Sequence, residues 1–118
     1  MKLSRQRRMH DWGEFHSVRT GGRSKAGRFL VLGACPDTTL GDRKFGFITS
    51  KKTSKKAVTR NLLRRRFREI VRKWGDHLLS DHRIVTIARY NASHATFQEL
   101  EADWIKTAKR LNLWREDT

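Results

Sequence analysis

The sequence predicts a two-layer α+β or α/β domain, and three observations carry that expectation. Residues 44–50 (KFGFITS) set Phe45, Phe47 and Thr49 on one side and Gly46, Ile48 and Ser50 on the other, the period of two of a strand; residues 84–90 (IVTIARY) form a second, β-branched strand candidate. Between these segments runs a long stretch with helical period. The chain then closes on another helical pattern, so strands and helices alternate. At 118 residues it is expected to form one domain, residues 1–118, around a single hydrophobic core.

The elements follow in chain order. Residues 1–11 read as a mobile basic tail, and Trp12, Phe15 and Val18 or Arg19 recur at the spacing of a short first helix. Turn formers fill residues 20–27 (TGGRSKAG), residues 29–32 make an apolar strand, and residues 33–42, with the sole proline Pro36, read as a loop. Ser54 is placed to cap the long helix. Advancing 100° per residue gathers Leu63, Phe67, Ile70, Val71, Trp74 and Leu78 on an arc of roughly 100°, the core face. Asn61, Arg64, Arg65, Arg68 and Arg72 gather on the adjacent arc, with Arg66 and Lys73 left on the outer side. Thr96 and Glu99 form a capping-box pattern ahead of Phe97, Leu100, Trp104, Ala108 and Leu111 at helical spacing.

Charge narrows the function. The chain has 27 Lys and Arg against 12 Asp and Glu, a net charge of +15. The excess is local: residues 51–73 hold eleven basic residues and one acid, Glu69, whereas residues 77–118 hold six of each. An ordinary solvated helix face mixes signs, because opposite charges at i,i+4 stabilise and like charges repel. Arg60, Arg64, Arg68 and Arg72 instead stack like charges at that spacing, a repulsion that a polyanion would relieve. Lys51, Lys52, Lys55 and Lys56 precede the helix, whose N-terminus itself favours phosphate. Lipid is a poorer partner, since the apolar arc suits a core and no separate greasy face remains. Nucleic acid is the better one: phosphate contacts would supply salt-sensitive affinity, and Phe15, Phe45, Phe47 or Tyr90 could stack on unpaired bases.

Other classes recede. The single cysteine, Cys35, excludes an internal disulfide framework, and no Cys/His cluster has zinc spacing. No window approaches 18 uninterrupted apolar residues and no secretory signal is seen, so the expected compartment is the cytoplasm.

The stretch GFITSKKTSKKAVTRNLLRRRFRE closely resembles the signature of the bacterial ribonuclease P protein subunit. Its matching positions are Gly46, Phe47, Ser50, Lys51, Lys52, Ala57, Val58, Arg60, Asn61, Arg64, Arg65, Arg68 and Glu69. Residues 81–89 resemble a later family strand ending in Ala-Arg. The resemblance implies a two-layer α+β sandwich of the ribosomal protein S5 domain 2-like kind. Its four-stranded mixed sheet and three helices would run in the order αβββαβα, with a left-handed βαβ crossover and a fourth strand near Arg23. It also implies a 1:1 partnership with a catalytic RNA that, with bound Mg²⁺, removes the 5′ leader from precursor tRNA. No protein residue is then catalytic, no protein metal site is expected, and neither a membrane nor an obligate protein partner is called for. Lys51, Lys52, Lys55, Lys56, Arg60, Asn61, Arg64, Arg65, Arg68 and Arg72 would bind the RNA subunit; Phe15, Phe47 and Arg89 would line or border a leader cleft. Leu62 departs from the family, standing where its Arg-Asn-Arg triplet has a second Arg, and Arg19 and Leu32 occupy places where many members carry aromatics.

Two other functions compete. A structural RNA-binding protein, such as a ribosomal one, would share the charge but prefer ribosomal RNA. A self-sufficient protein nuclease needs a carboxylate cluster or a His/acid pair, whereas His10, His16, His77, His82 and His94 are scattered.

Overall fold

The computed structural model describes Arg8, Met9 and residues 22–115. The helix expected at residues 12–18, with Phe15, and most of the basic tail lie outside them. Four strands, β1 (Arg23–Ala26), β2 (Leu30–Pro36), β3 (Arg43–Ile48) and β4 (His82–Ala88), form one sheet in the order β1-β2-β4-β3. β2 runs antiparallel to both β1 and β4, whereas β3 and β4 are parallel, so the sheet is mixed. A parallel pair needs a crossover. Helix α1 (Ala57–Trp74) supplies it, and helix α2 (Phe97–Arg110) follows β4.

β1 is the strand that periodicity misses, because all four of its residues are exposed. Pairing and a clamp hold it. The Asp103 carboxylate of α2 accepts the Arg28 and Phe29 N–H groups at 2.9 and 2.8 Å, fixing the β1–β2 turn. Gly27 is required there, since a Cβ would meet both Asp103 oxygens and Thr107 Oγ1 at 2.5–2.6 Å.

β2 corrects the expectation of a loop from residue 33 onward. Gly33, Ala34 and Cys35 look like loop residues, but they run through the sheet interior, with Gly33 and Ala34 paired on both sides. Pro36 is tolerated because, among the described residues, the pairing with β1 ends at Ala34, so its missing N–H breaks no ladder on that side.

The start of α1 also differs. Lys56, not Ser54, occupies the N-cap, and no side chain caps the helix. The Ser54 hydroxyl accepts the Lys56 N–H at 3.2 Å within the preceding loop, the local turn that competes with a helix cap. At α2 the capping box forms as the sequence indicates: Thr96 Oγ1 accepts the Glu99 N–H at 3.1 Å, and the Glu99 carboxylate accepts the Thr96 N–H at 2.9 Å.

Both helices cover one side of the sheet. Leu63, Phe67, Ile70 and Val71 of α1 and Leu100, Trp104 and Ala108 of α2 are buried with Leu30, Leu32, Ala34, Phe45 and Ile84. Trp104 Nε1 donates to Thr86 Oγ1 at 3.1 Å, which satisfies two buried polar groups at the centre of that core. Strand alternation sends Val85, Ile48, Ile87 and Cys35 to the other side, where Met9 packs. Met9 N–H donates to the Phe45 carbonyl at 2.8 Å and Arg8 bridges Phe45, so these two residues of the expected tail extend the β3 edge. No helix among the described residues is long and apolar enough to cross a membrane.

Candidate nucleic-acid interface

The lysine loop is built before its charges matter. The Thr53 side chain is buried and donates to the Ala88 carbonyl at 3.2 Å, tying the loop to the end of β4. Thr53 and Ser54 N–H groups both return to the Ser50 carbonyl, at 2.9 and 3.2 Å. This turn leaves Lys51, Lys52, Lys55 and Lys56 exposed around the N-terminus of α1. Arg60 braces it from below, donating to the Ser54 and Lys55 carbonyls at 2.9 and 3.0 Å.

Along α1 the sequence-derived stripe divides into two kinds of cation. Arg64 is held: it donates to Thr49 Oγ1 at 2.8 Å and to the Asn61 side-chain oxygen. Arg72 lies 3.5 Å from Glu69, both exposed. Arg65 and Arg68 are exposed and make no hydrogen bond or ion pair among the described residues. The i,i+4 repulsion inferred from Arg60, Arg64, Arg68 and Arg72 is therefore partly relieved within the protein, and Arg68 is the member of that series left to solvent. Of the two residues expected on the outer side, Lys73 is exposed and Arg66 is half-buried. Arg66 donates to the Ala95 carbonyl, just ahead of α2, at 3.2 Å, and Lys73 lies 3.4 Å from Glu101 of α2.

Arg64 and Arg68 form one wall of a cleft of ≈ 170 Å³ at the β3 edge, lined also by Arg8, Met9, Phe45, Gly46 and Phe47. Sequence reasoning missed Arg8 and Met9, because their place depends on pairing with β3 some 35 residues later and leaves no local pattern. Phe47 is half-buried, shares the helix-covered side with its β4 neighbour Thr86, and borders this cleft. Arg89 is not brought to it. It follows Ala88, the last residue of β4, and donates to the Gly27 carbonyl at 2.7 Å, while Phe15 lies outside the described residues.

A family model described as Ribonuclease P matches residues 3–112. The chain belongs to the ribonuclease P protein family. A ribonuclease P protein component from Syntrophomonas wolfei is 33% identical over 112 residues, covering 95% of this chain and 92% of its own length. One from Desulforamulus reducens is 42% identical over 88 residues, covering 75% and 76%. Among solved structures, the Staphylococcus aureus RNase P protein superposes with a TM-score of 0.84 at 26% identity, covering 92% of this chain and 98% of that one. The Thermotoga maritima RNase P protein, at 23% identity and a TM-score of 0.78 over 87% and 96%, shares the fold. In this ribonuclease P family member the signature residues Lys51, Lys52, Arg60, Asn61, Arg64, Arg65 and Arg68 all fall on the lysine loop and one flank of α1. Among the described residues no group of three or more His, Cys, Asp or Glu is placed to hold a metal ion.

Proposed function

We propose that this chain is the protein subunit of ribonuclease P, binding a catalytic RNA and assisting removal of the 5′ leader from precursor tRNA. The observation that carries the reading is the coincidence, in a member of this family, of the signature cations with a single exposed face. On this reading Lys51, Lys52, Lys55 and Lys56 surround an α1 N-terminus that no side chain caps, a seat for RNA phosphates. Arg64 presents a guanidinium already oriented by Thr49 and Asn61, and Arg65, Arg68 and Arg72 continue the track; Arg60 acts by bracing the loop. The leader would run past Phe15, Phe47 and Arg89, of which Phe47 borders the Arg64–Arg68 cleft and Arg89 is held at the Gly27 carbonyl beyond the end of β4.

The chemistry is assigned to the RNA partner, which would bind Mg²⁺ and hydrolyse the phosphodiester; the protein binds, orients and screens phosphate charge. Electrostatic screening of this kind lowers the Mg²⁺ an RNA needs to fold and hold its substrate. One RNA per chain, in the cytoplasm, is the expected assembly.

The test is reconstitution of the chain with the ribonuclease P RNA of its own organism at low Mg²⁺, with precursor tRNA as substrate. Leader removal is expected to rise on adding protein; no gain refutes the proposal. A competition between that RNA and ribosomal RNA separates this function from a general RNA-binding role.

A further inference from the structure

Three large apolar side chains are exposed among the described residues, and two of them, Val58 (80% exposed) and Leu62 (38%), stand one turn apart on α1. On the helical wheel Val58 lies opposite the buried face of Leu63, Phe67 and Ile70, and Leu62 stands beside it, nearer the edge of that face. Asn61, Arg65 and Arg68 flank them on one side, with Lys55 and Lys56 at the end, while Arg66 on the other side is committed to the Ala95 carbonyl. Neither belongs to the buried core, and their place amid cations needs a reason.

We infer that Val58 and Leu62 form an apolar contact for unpaired nucleotides of the bound RNA, seating against a base face or ribose while the surrounding cations take the phosphates. The inference rests on the RNA-binding function proposed above and specifies how that face reads its partner. Charge decides the occupant. A second copy would set Lys55, Lys56 and Arg65 against their own like, within a chain of net charge +15. Unpaired RNA alternates anionic phosphates with apolar base faces on a scale of several ångströms, the same alternation that the apolar pair and its flanks present. Lipid fits poorly, because the apolar strip is only two residues wide. At Leu62, where the family signature has arginine, a charge contact is thus exchanged for an apolar one.

The exchange has a measurable signature. An apolar contact releases no counterion, so its loss weakens binding equally at every salt concentration, whereas loss of a phosphate contact flattens the salt dependence. Glutamine is as good a helix former as leucine and a better one than valine, so Val58→Gln with Leu62→Gln is expected to leave the fold intact and the thermal midpoint no lower. The double variant should bind the ribonuclease P RNA about tenfold more weakly, with an unaltered log-log salt slope. Leu62→Arg should steepen the slope by roughly one phosphate contact.

Double-variant binding equal to wild type, with wild type binding normally, overturns this inference alone. Failure of the wild-type chain to bind that RNA overturns the function on which it rests. A flattened slope in the glutamine variant would also overturn it, showing that the pair acts only by arranging charges. So would self-association of wild type by sedimentation that the double variant abolishes, which would assign the pair to a protein contact.

Discussion

Arg68→Ala isolates the electrostatic work of α1. The side chain is exposed, has no acceptor among the described residues, and lines the cleft beside Phe47, so its removal costs the free protein little. If Arg68 holds one phosphate, its loss lowers the log-log salt slope by about 0.7–0.9. Between 50 and 200 mM monovalent salt, a fourfold change, the weakening caused by the variant should therefore shrink about threefold. The assay is equilibrium titration of labelled ribonuclease P RNA across a salt series at constant Mg²⁺. Arg66→Ala is the internal control: it removes the same charge from the same helix, but from a side chain committed to the Ala95 carbonyl. Its slope should stay at the wild-type value. Equal slope changes in the two variants would show that only net charge matters, and no change in either would place the stripe outside the interface.

Three further expectations concern the scaffold. Gly27→Ala should displace the Asp103 carboxylate from the Arg28 and Phe29 N–H groups, costing about 2–3 kcal/mol and roughly 10 °C in thermal midpoint; an unchanged melt would show that the clamp is dispensable. Thr86→Val should strand the buried Trp104 N–H at a cost of about 1–3 kcal/mol by urea denaturation, and pairing it with Trp104→Phe should recover part of the loss. Asp37 is held from 3.8 down to about 2 by the Thr39 hydroxyl, then by Arg83. Because the folded pKa is depressed, its stabilisation is complete above pH 4 and is lost as pH falls through about 2. The stability difference between wild type and Asp37→Asn should accordingly narrow over that window, and a gap constant with pH would refute the assignment.

Legibility followed the range of the interactions. Leu63, Phe67, Ile70 and Val71 were readable as the inner side of α1 because helical period is local, and so was the Thr96–Glu99 capping box, whose partners are three residues apart. The cationic flank was readable for the same reason. β1 was not, because RSKA has no apolar side and exists as a strand through its pairing with β2 and the Asp103 clamp from the far end of the chain. The end of β2 was misread as loop, since Gly33 and Pro36 punctuate a sequence but are accommodated by neighbouring strands.

By itself, then, the sequence determined that a basic amphipathic helix sits between two strands, and which residues carry its charge. The tertiary structure decided which of those charges are free. Arg60, Arg64 and Arg66 find acceptors in the loop, at Thr49 and Asn61, and at Ala95, whereas Arg65 and Arg68 find none among the described residues. It also decided that Arg8 and Met9 join the β3 edge and that Val58 and Leu62 stay exposed on the helix. A guanidinium's partner, or an apolar side chain's lack of one, depends on what the fold brings within a few ångströms, which no local pattern records.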